Sequence, residues 1–171
     1  DAPEPTWCPS CRLQRRLAWR NERTMYKRRC DAPGHAHEIV TLFSKDKPFK
    51  VYCCPFWWSD EWAGGTEHGR DYDFSRPFFA QLKDMIAAVP KANMMGDYLT
   101  MINSEYSNWS GELKNTYLMT DADLVEDSAY GSGIMRSKDL FDTDTAADSE
   151  LCYDSFNLEK CYKTVGSVDC V

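Results

Sequence analysis

Apolar and polar positions follow different rules in the two parts of the chain. Over residues 103–171 an aromatic recurs at Tyr106, Tyr117, Tyr130, Phe141, Tyr153 and Tyr162, with gaps of 11, 13, 11, 12 and 9 residues. A second apolar set, Leu113, Leu124, Met135, Ala147, Leu158 and Val168, falls between them. The remaining positions are mostly Ser, Thr, Asn, Asp, Glu and Gly. Short apolar touches between turn formers, without helical periodicity, predict short strands and tight corners. The recurrence predicts stacked coils, because one coil cannot bury its apolar side alone. The expectation is a mostly β solenoid over 103–171, with imperfect repeats of about 11–12 residues.

Upstream the pattern changes. Residues 12–29 hold no Gly or Pro and many helix formers, which predicts a helix. On it Arg16, Arg20, Arg23 and Lys27 form one cationic stripe, while Leu13, Leu17 and Trp19 turn toward a core. Residues 38–43 and 49–52 read as strands around the polar loop 44–48. The aromatic stretch 56–62 is expected to lock an irregular segment against a core. Ser75 caps and Pro77 opens a helix over 76–89, whose stripe of Phe78, Phe79, Leu82, Met85, Ile86 and Val89 predicts a buried brace. Pro90 ends it. These elements divide the chain into a module at 1–62, a connecting segment at 63–102 and the solenoid at 103–171.

Charge adds a second asymmetry to a net of −7. Residues 1–50 carry eleven Lys and Arg against six Asp and Glu, and the remainder nine against twenty-one. A basic N-terminal part suits a polyanion such as nucleic acid, and guanidinium forks match phosphate oxygens. Pairing of these arginines with the acidic remainder is the alternative. No apolar run approaches the ~20 residues that cross a bilayer, and no signal-peptide core opens the chain. The expectation is a protein of a reducing, intracellular compartment, the cytoplasm, with no membrane contact.

The eight cysteines narrow the chemistry. Cys8-Pro9-Ser10-Cys11 is a C-x2-C knuckle, two thiolates on one edge of a tetrahedral zinc. Further ligands must come from Cys30, Cys53 or Cys54, with His35 and His37 in reserve; a redox pair or a disulfide is the competing reading. Cys152, Cys161 and Cys170 stand nine apart at the end of the repeat and read as an inward ladder of small buried hydrophobes. The end of the last coil is an open strand edge, suited to a protein partner or self-assembly. Gly34-His-Ala-His-Glu38 offers His35 and His37 to a metal-dependent nuclease of the HNH or treble-clef type. There is no Walker loop, nucleophile elbow or dinucleotide fingerprint.

Several blocks carry a resemblance: Cys8-Pro-x-Cys11-Arg, Arg15-Arg-Leu-Ala-x-Arg-Asn-Glu-Arg23, Tyr26-Lys-Arg, Trp57-Trp-Ser-Asp-x-Trp62, Gly69-Arg-Asp-Tyr-Asp-Phe-Ser-Arg-Pro-Phe-Phe79 and Asn103-Ser-x-Tyr106. Together they resemble an uncharacterised family of bacterial proteins known mainly from environmental genomes. Its members have an N-terminal zinc-ribbon-like segment followed by Cys-rich and Asn-rich repeats, tend to be longer, and bring no known activity. They carry two C-x2-C knuckles. Here Cys54 follows Cys53 directly and Phe56 stands where the later cysteine would fall. The implied ligand set is Cys8, Cys11, Cys30 and Cys53, with Cys54 as the substitute, around one zinc. The sequence therefore predicts an α+β, zinc-ribbon or treble-clef-like module joined by a helix to a β-solenoid. Its expected function is that of a non-enzymatic zinc-binding scaffold contacting a polyanion through residues 12–29; the alternative is the nuclease.

Overall fold

The structure, a computed structural model, describes residues 4–18 and 21–171. In chain order they form helix α1 (Pro9–Leu17), strands β1 (Tyr26–Arg29), β2 (Glu38–Thr41) and β3 (Val51–Tyr52), and the short helix α2 (Cys54–Trp57). Helix α3 (Phe78–Ala88) and strand β4 (Lys91–Ala92) follow. Strands β5 (Gly111–Lys114), β6 (Thr120–Glu126), β7 (Ser132–Ala147), β8 (Glu150–Glu159) and β9 (Val168–Cys170) complete the chain. Among the described residues no helix is long and apolar enough to cross a membrane.

The last five strands lie in sequence order in one parallel sheet that winds as a β-solenoid. Its register is uniform: Ile102 pairs with Lys114, Asp123 with Met135, Phe141 with Tyr153 and Tyr153 with Val165, each step twelve residues. A finer period of three lies within each coil. Leu113, Thr116, Met119, Ala122, Val125 and Ser128 are buried in succession, and the series continues through Ile134, Ser137, Leu140, Thr143, Ala146, Ser149, Cys152, Ser155, Leu158 and Cys161. The residue before most inward positions has a left-handed backbone, from Glu112 (φ 48°) and Asn115 (φ 52°) to Asn157 (φ 57°) and Lys160 (φ 53°). Each coil is thus four three-residue sides joined by four left-handed corners. Asn and Asp, which tolerate that region best after Gly, take many corners: Asn103, Asn115, Asp127, Asp139 and Asp148 among them.

This geometry corrects two expectations. The recurring aromatics are not interior rungs: Tyr106, Tyr117, Tyr130, Phe141, Tyr153 and Tyr162 are 41–60 % exposed. From Tyr106 to Tyr153 their uneven gaps arise because they fall on two neighbouring outward positions of a constant twelve-residue coil, whereas Tyr162 lies one side earlier, in register with Glu150. In the second apolar set Leu113 and Leu158 are buried, but Leu124, Met135 and Val168 face outward. The interior is too narrow for rings. Bulk instead moves from side to side as coils stack, with Leu113 and Met119 followed by Val125 and Ile134, then Leu140, then Leu158, among Ser, Thr, Ala, Gly and Cys. Burying each such aliphatic contributes about 2 kcal/mol.

The polar inward residues close the corners. Ser104, Ser110, Ser128, Ser137, Ser149 and Ser155 each donate a hydroxyl hydrogen bond to the carbonyl two residues back. Each also accepts the amide of the residue twelve further on, at 3.0–3.3 Å. A small hydroxyl is therefore what this interior needs to satisfy backbone groups that the corners free from the ladder.

The N-terminal module departs further from its sequence pattern. β1 pairs antiparallel with β2, Tyr26 opposite Thr41 and Arg29 opposite Glu38, while β3 pairs parallel with β4. The strands flanking the loop 44–48 are thus not partners of each other. The helix over 12–29 is also corrected: α1 ends at Leu17 and residues 26–29 are strand. Asn21 holds the intervening turn, its Nδ2 donating to the carbonyls of Thr24 and Leu42 (both 2.8 Å) and its Oδ1 accepting the Thr24 amide (3.0 Å). Such local side-chain bonds compete with helix continuation. Trp19 and Arg20 lie outside the described residues. The module core gathers Cys30, Ile39, Val51, Tyr52, Cys53 and Phe56, with Trp57 and Trp62 packed against it as the aromatic stretch predicts. α3 falls within the predicted 76–89 but starts at Phe78 with Pro77, not Ser75, before it. It also lacks the predicted role: none of its residues is buried, and Phe79 is 79 % exposed.

Candidate metal centre and binding surfaces

The four predicted zinc ligands fall into two pairs. Cys8 is the N-cap of α1, and its Sγ accepts the Cys11 amide at 3.3 Å. Both thiols are exposed. The Cys11 amide holds the Cys8 thiol below the usual thiol range, and the contact with Cys8 raises that of Cys11. The second pair is buried. Cys30 directly follows β1, and its Sγ accepts the amides of Cys53 (3.2 Å) and Ala32 (3.5 Å). His35 joins it, with Nδ1 3.3 Å from Cys53 Sγ and its ring edge-on to Phe56, centroids 5.2 Å apart. Burial pushes the Cys53 thiol up, and the neighbouring Cys30 adds to the shift.

Of the adjacent cysteines, Cys53 is the one that faces Cys30. Cys54 turns the other way into a small cluster with Leu42 and Met94, where burial raises its thiol pKa to about 11. No hydrogen bond joins Cys8 or Cys11 to Cys30 or Cys53 among the described residues. Nor is any group of three or more His, Cys, Asp or Glu side chains among them placed to hold a metal ion. Two thiols and an imidazole are zinc-type donors, but Cys30, Cys53 and His35 touch only in pairs. His37 is exposed, with its ring centroid 5.9 Å from that of His35. Its carbonyl accepts the Cys30 amide at 2.9 Å, which makes the segment between them a closed turn.

The predicted cationic residues do not share one helix. Arg16 is exposed in the last turn of α1, and Arg20 lies outside the described residues. Lys27 sits on β1 with Nζ 3.7 Å from Glu38. Arg23 reaches the solenoid, where a guanidinium nitrogen donates to Ser132 Oγ at 2.6 Å and lies 4.0 Å from Asp144. That outcome follows the alternative in which basic residues meet the acidic part of the same chain.

Three anchors carry no motif. Arg28, largely buried, donates to Asp31 (2.9 Å), Ser44 O and Phe49 O, while Asp31 accepts the Val51 amide at 2.8 Å. Asn93 ties β2 to α2 by donating to Val40 O (2.8 Å) and accepting the Cys54 amide (2.7 Å). Asn108, fully buried, donates to Glu22 O (2.9 Å) and accepts the Met95 amide (3.0 Å). It docks the module onto the solenoid. The only sequence signal for it was a polar amide inside the repeat.

Two concavities result. A cleft of about 460 Å³ separates the module from the first coils, between His37 and Cys53 on one wall and Tyr98, Ser104 and Tyr106 on the other. A groove of about 750 Å³ runs along a solenoid face beside Arg23, past Tyr130, Asp142, Asp144, Asp154 and Phe156. Along the neighbouring corner the outward aromatics form a spine, with Tyr106, Tyr117 and Tyr130 meeting edge to face at 5.7 Å. Comparison with protein-family models, with curated proteins and with solved structures finds no match to this chain.

Proposed function

We propose that the chain is a non-enzymatic interaction scaffold, in which a zinc-stabilised module presents a cationic end and the solenoid presents an acidic, aromatic surface. The observation that carries this reading is the docking of the two parts. Asn108 binds the Glu22 carbonyl and Arg23 binds Ser132, so two surfaces of opposite charge are held in fixed relation. Zinc is proposed at the Cys30–Cys53 pair. His35 already touches Cys53, and the Cys8–Cys11 knuckle is the source of the remaining thiolates. Metal would favour the deprotonated forms that burial disfavours at Cys53. The polyanion-facing part of the proposal moves to α1, where Arg12, Arg15 and Arg16 lie close together and its first turn holds no acid.

The test has two arms. Metal analysis of chain purified under reducing conditions without chelator is expected to give one zinc per chain, lost in a Cys30→Ser variant; a stoichiometry near zero removes the zinc. A salt titration of binding to single- and double-stranded nucleic acid is expected to show a steep salt slope without strand cleavage, in the presence or absence of Mg²⁺. The slope should flatten in an Arg12→Gln/Arg15→Gln/Arg16→Gln variant. Binding unchanged in that variant removes the polyanion contact, and cleavage abolished by His35→Ala would make the chain a nuclease.

A further inference from the structure

Side chains twelve residues apart stack on the outside of the solenoid as well as inside, and most charged stacks are complementary. Arg136 holds Asp148 through two hydrogen bonds (2.7 and 2.9 Å). Lys114 pairs with Glu126 at 3.5 Å. Asn115 donates to Asp127 (2.9 Å) and Asn157 to Asp169 (2.6 Å). Two like-charged stacks break this rule, Asp127 over Asp139 and Asp142 over Asp154. In the first, Asp127 is bonded by Asn115 (2.9 Å) and has Lys138 Nζ at 3.9 Å; in the second, Asp142 and Asp154 stand without such partners. They occupy the same corner in successive coils, flanked by the register pairs Phe141–Tyr153 and Thr143–Ser155. Successive coils are ~4.8 Å apart, and like charges directly opposite on a sheet are destabilising. Neither carboxylate has a hydrogen bond or a cation among the described residues. Both line the groove that also holds Asp144, Tyr130 and Phe156.

The chain's own Arg23 borders this groove and shows a cation held by its acidic lining. Arg23 and Met25 of the chain's own non-helical segment line it; the Arg23 guanidinium lies on Ser132 and beside Asp144, while Met25 also packs toward Leu42, Cys54 and Met94. A guanidinium thus sits beside a carboxylate, with an apolar side chain two residues on along non-helical backbone, at a groove whose lining includes Tyr130 and Phe156. The free portion repeats those features with two carboxylates, Asp142 and Asp154, beside Phe156 and Val168.

We propose that this groove is a docking site for an extended peptide segment of a partner protein, with Arg or Lys alternating with apolar residues. Its cations would bridge Asp142 and Asp154, and its apolar side chains would lie on Phe156 and Tyr130. The inference rests on the scaffold reading only in taking the solenoid as a binding surface. It shares the Arg23–Ser132 contact with that reading, but its variants alter none of the residues tested for zinc or polyanion, so its failure and theirs are read separately.

The experiment is fluorescence anisotropy with the full chain and a fluorescein-labelled peptide Arg-Val-Arg-Val-Arg-Val. The same peptide with Gln for Arg and an unlabelled neutral β-1,4-linked glucose hexasaccharide as competitor complete the set. The basic peptide should bind, the Gln peptide at least tenfold more weakly. An Asp142→Asn/Asp154→Asn variant should lose at least tenfold in affinity for the basic peptide. Asn occupies left-handed corners readily, so the coils remain intact, which circular dichroism checks. An Asp60→Asn/Asp71→Asn variant, with the same change of net charge at exposed positions away from the groove, should bind as the unaltered chain does. Equal losses in both variants would reduce the effect to overall charge and overturn the site. Absence of basic-peptide binding also overturns it, as does displacement of the peptide by the saccharide, which would make the groove a glycan site.

Discussion

The hydroxyl of Ser128 accepts the amide of Leu140, one coil further on, at 3.0 Å, while donating to the Glu126 carbonyl at 2.7 Å. A single small side chain thereby satisfies two buried backbone groups at a corner where the ladder is interrupted. Ser128→Ala should destabilise the chain by about 1–3 kcal/mol, the cost of leaving buried partners unpaired. Urea unfolding followed by far-UV circular dichroism measures it. A loss below a few tenths would show that water reaches the corner.

Gly131 occupies an inward position where an added Cβ would stand 2.8 Å from Met119 Cε and 3.2 Å from Ile134 Cγ1. Gly131→Ala should therefore cost about 1–3 kcal/mol through overpacking. Most of that should return in the Gly131→Ala/Met119→Ala background, because the clash is with the Met119 side chain. A double-mutant cycle reads the coupling; additive losses would place the strain elsewhere.

These two positions show why the interior was hard to read from the sequence. The number of residues per coil was visible, and so was the parallel stacking. What went unread was the period of three, because inward positions are filled by Ser, Thr, Ala, Gly and Cys as often as by Leu or Ile, while Tyr and Phe lie outside. Hydrophobicity marks the interior only where the interior is wide enough for large side chains. The module was legible in the loop 44–48 between strands and in the packing of Trp57 and Trp62, and the connecting segment in the end of α3 just before Pro90. It was not legible at Asn21, whose three hydrogen bonds tie the turn to Thr24 and Leu42, nor at Arg28 and Asn93, which reach Ser44, Phe49 and Val40.

Thr145 is a β-branched residue in the left-handed region, with φ of 61°. Replacing it with Asn, which bonds locally and tolerates that region, should stabilise the solenoid by about 1 kcal/mol. Thermal unfolding of Thr145→Asn beside the unaltered chain reads the shift. A lower midpoint would mean that the Thr145 methyl packs usefully against its neighbours.

Cys152, Cys161 and Cys170 are inward, as expected, but they do not share one ladder. A spacing of nine in a coil of twelve leaves each one side short of the position stacked on the one before, and Cys152 stacks instead on Leu140. Cys152 and Cys161 are 1 % and 7 % exposed, Cys170 only half-buried. Native-state thiol labelling should therefore find Cys170 reacting well before the other two, and all three reacting at similar rates in denaturant. Equally fast labelling of Cys152 in the folded chain would refute its burial.

Cys54 supplies a pH signature. Its thiol is raised from an ordinary 9.0 to about 11 by burial beside Met94. The folded chain thus retains a proton that the unfolded chain releases across this window. Stability from this group is fully present below pH 9.0 and is lost as the pH rises toward 11. Comparing pH-dependent unfolding of the unaltered chain and of Cys54→Ala should show the steeper alkaline decline in the former. Parallel curves would mean that the thiol is accessible to water.

The uniform register has a consequence for how such a chain can change in length. Because each corner hydroxyl bonds to the amide one full coil away, an in-frame duplication or loss of one whole coil meets the same partners above and below. A slip of a single residue would turn inward hydroxyls outward and leave a run of amides without acceptors. Insertions and deletions inherited by descendants of this gene should accordingly fall in whole coils within the solenoid, and irregular ones should collect in the exposed segment around α3.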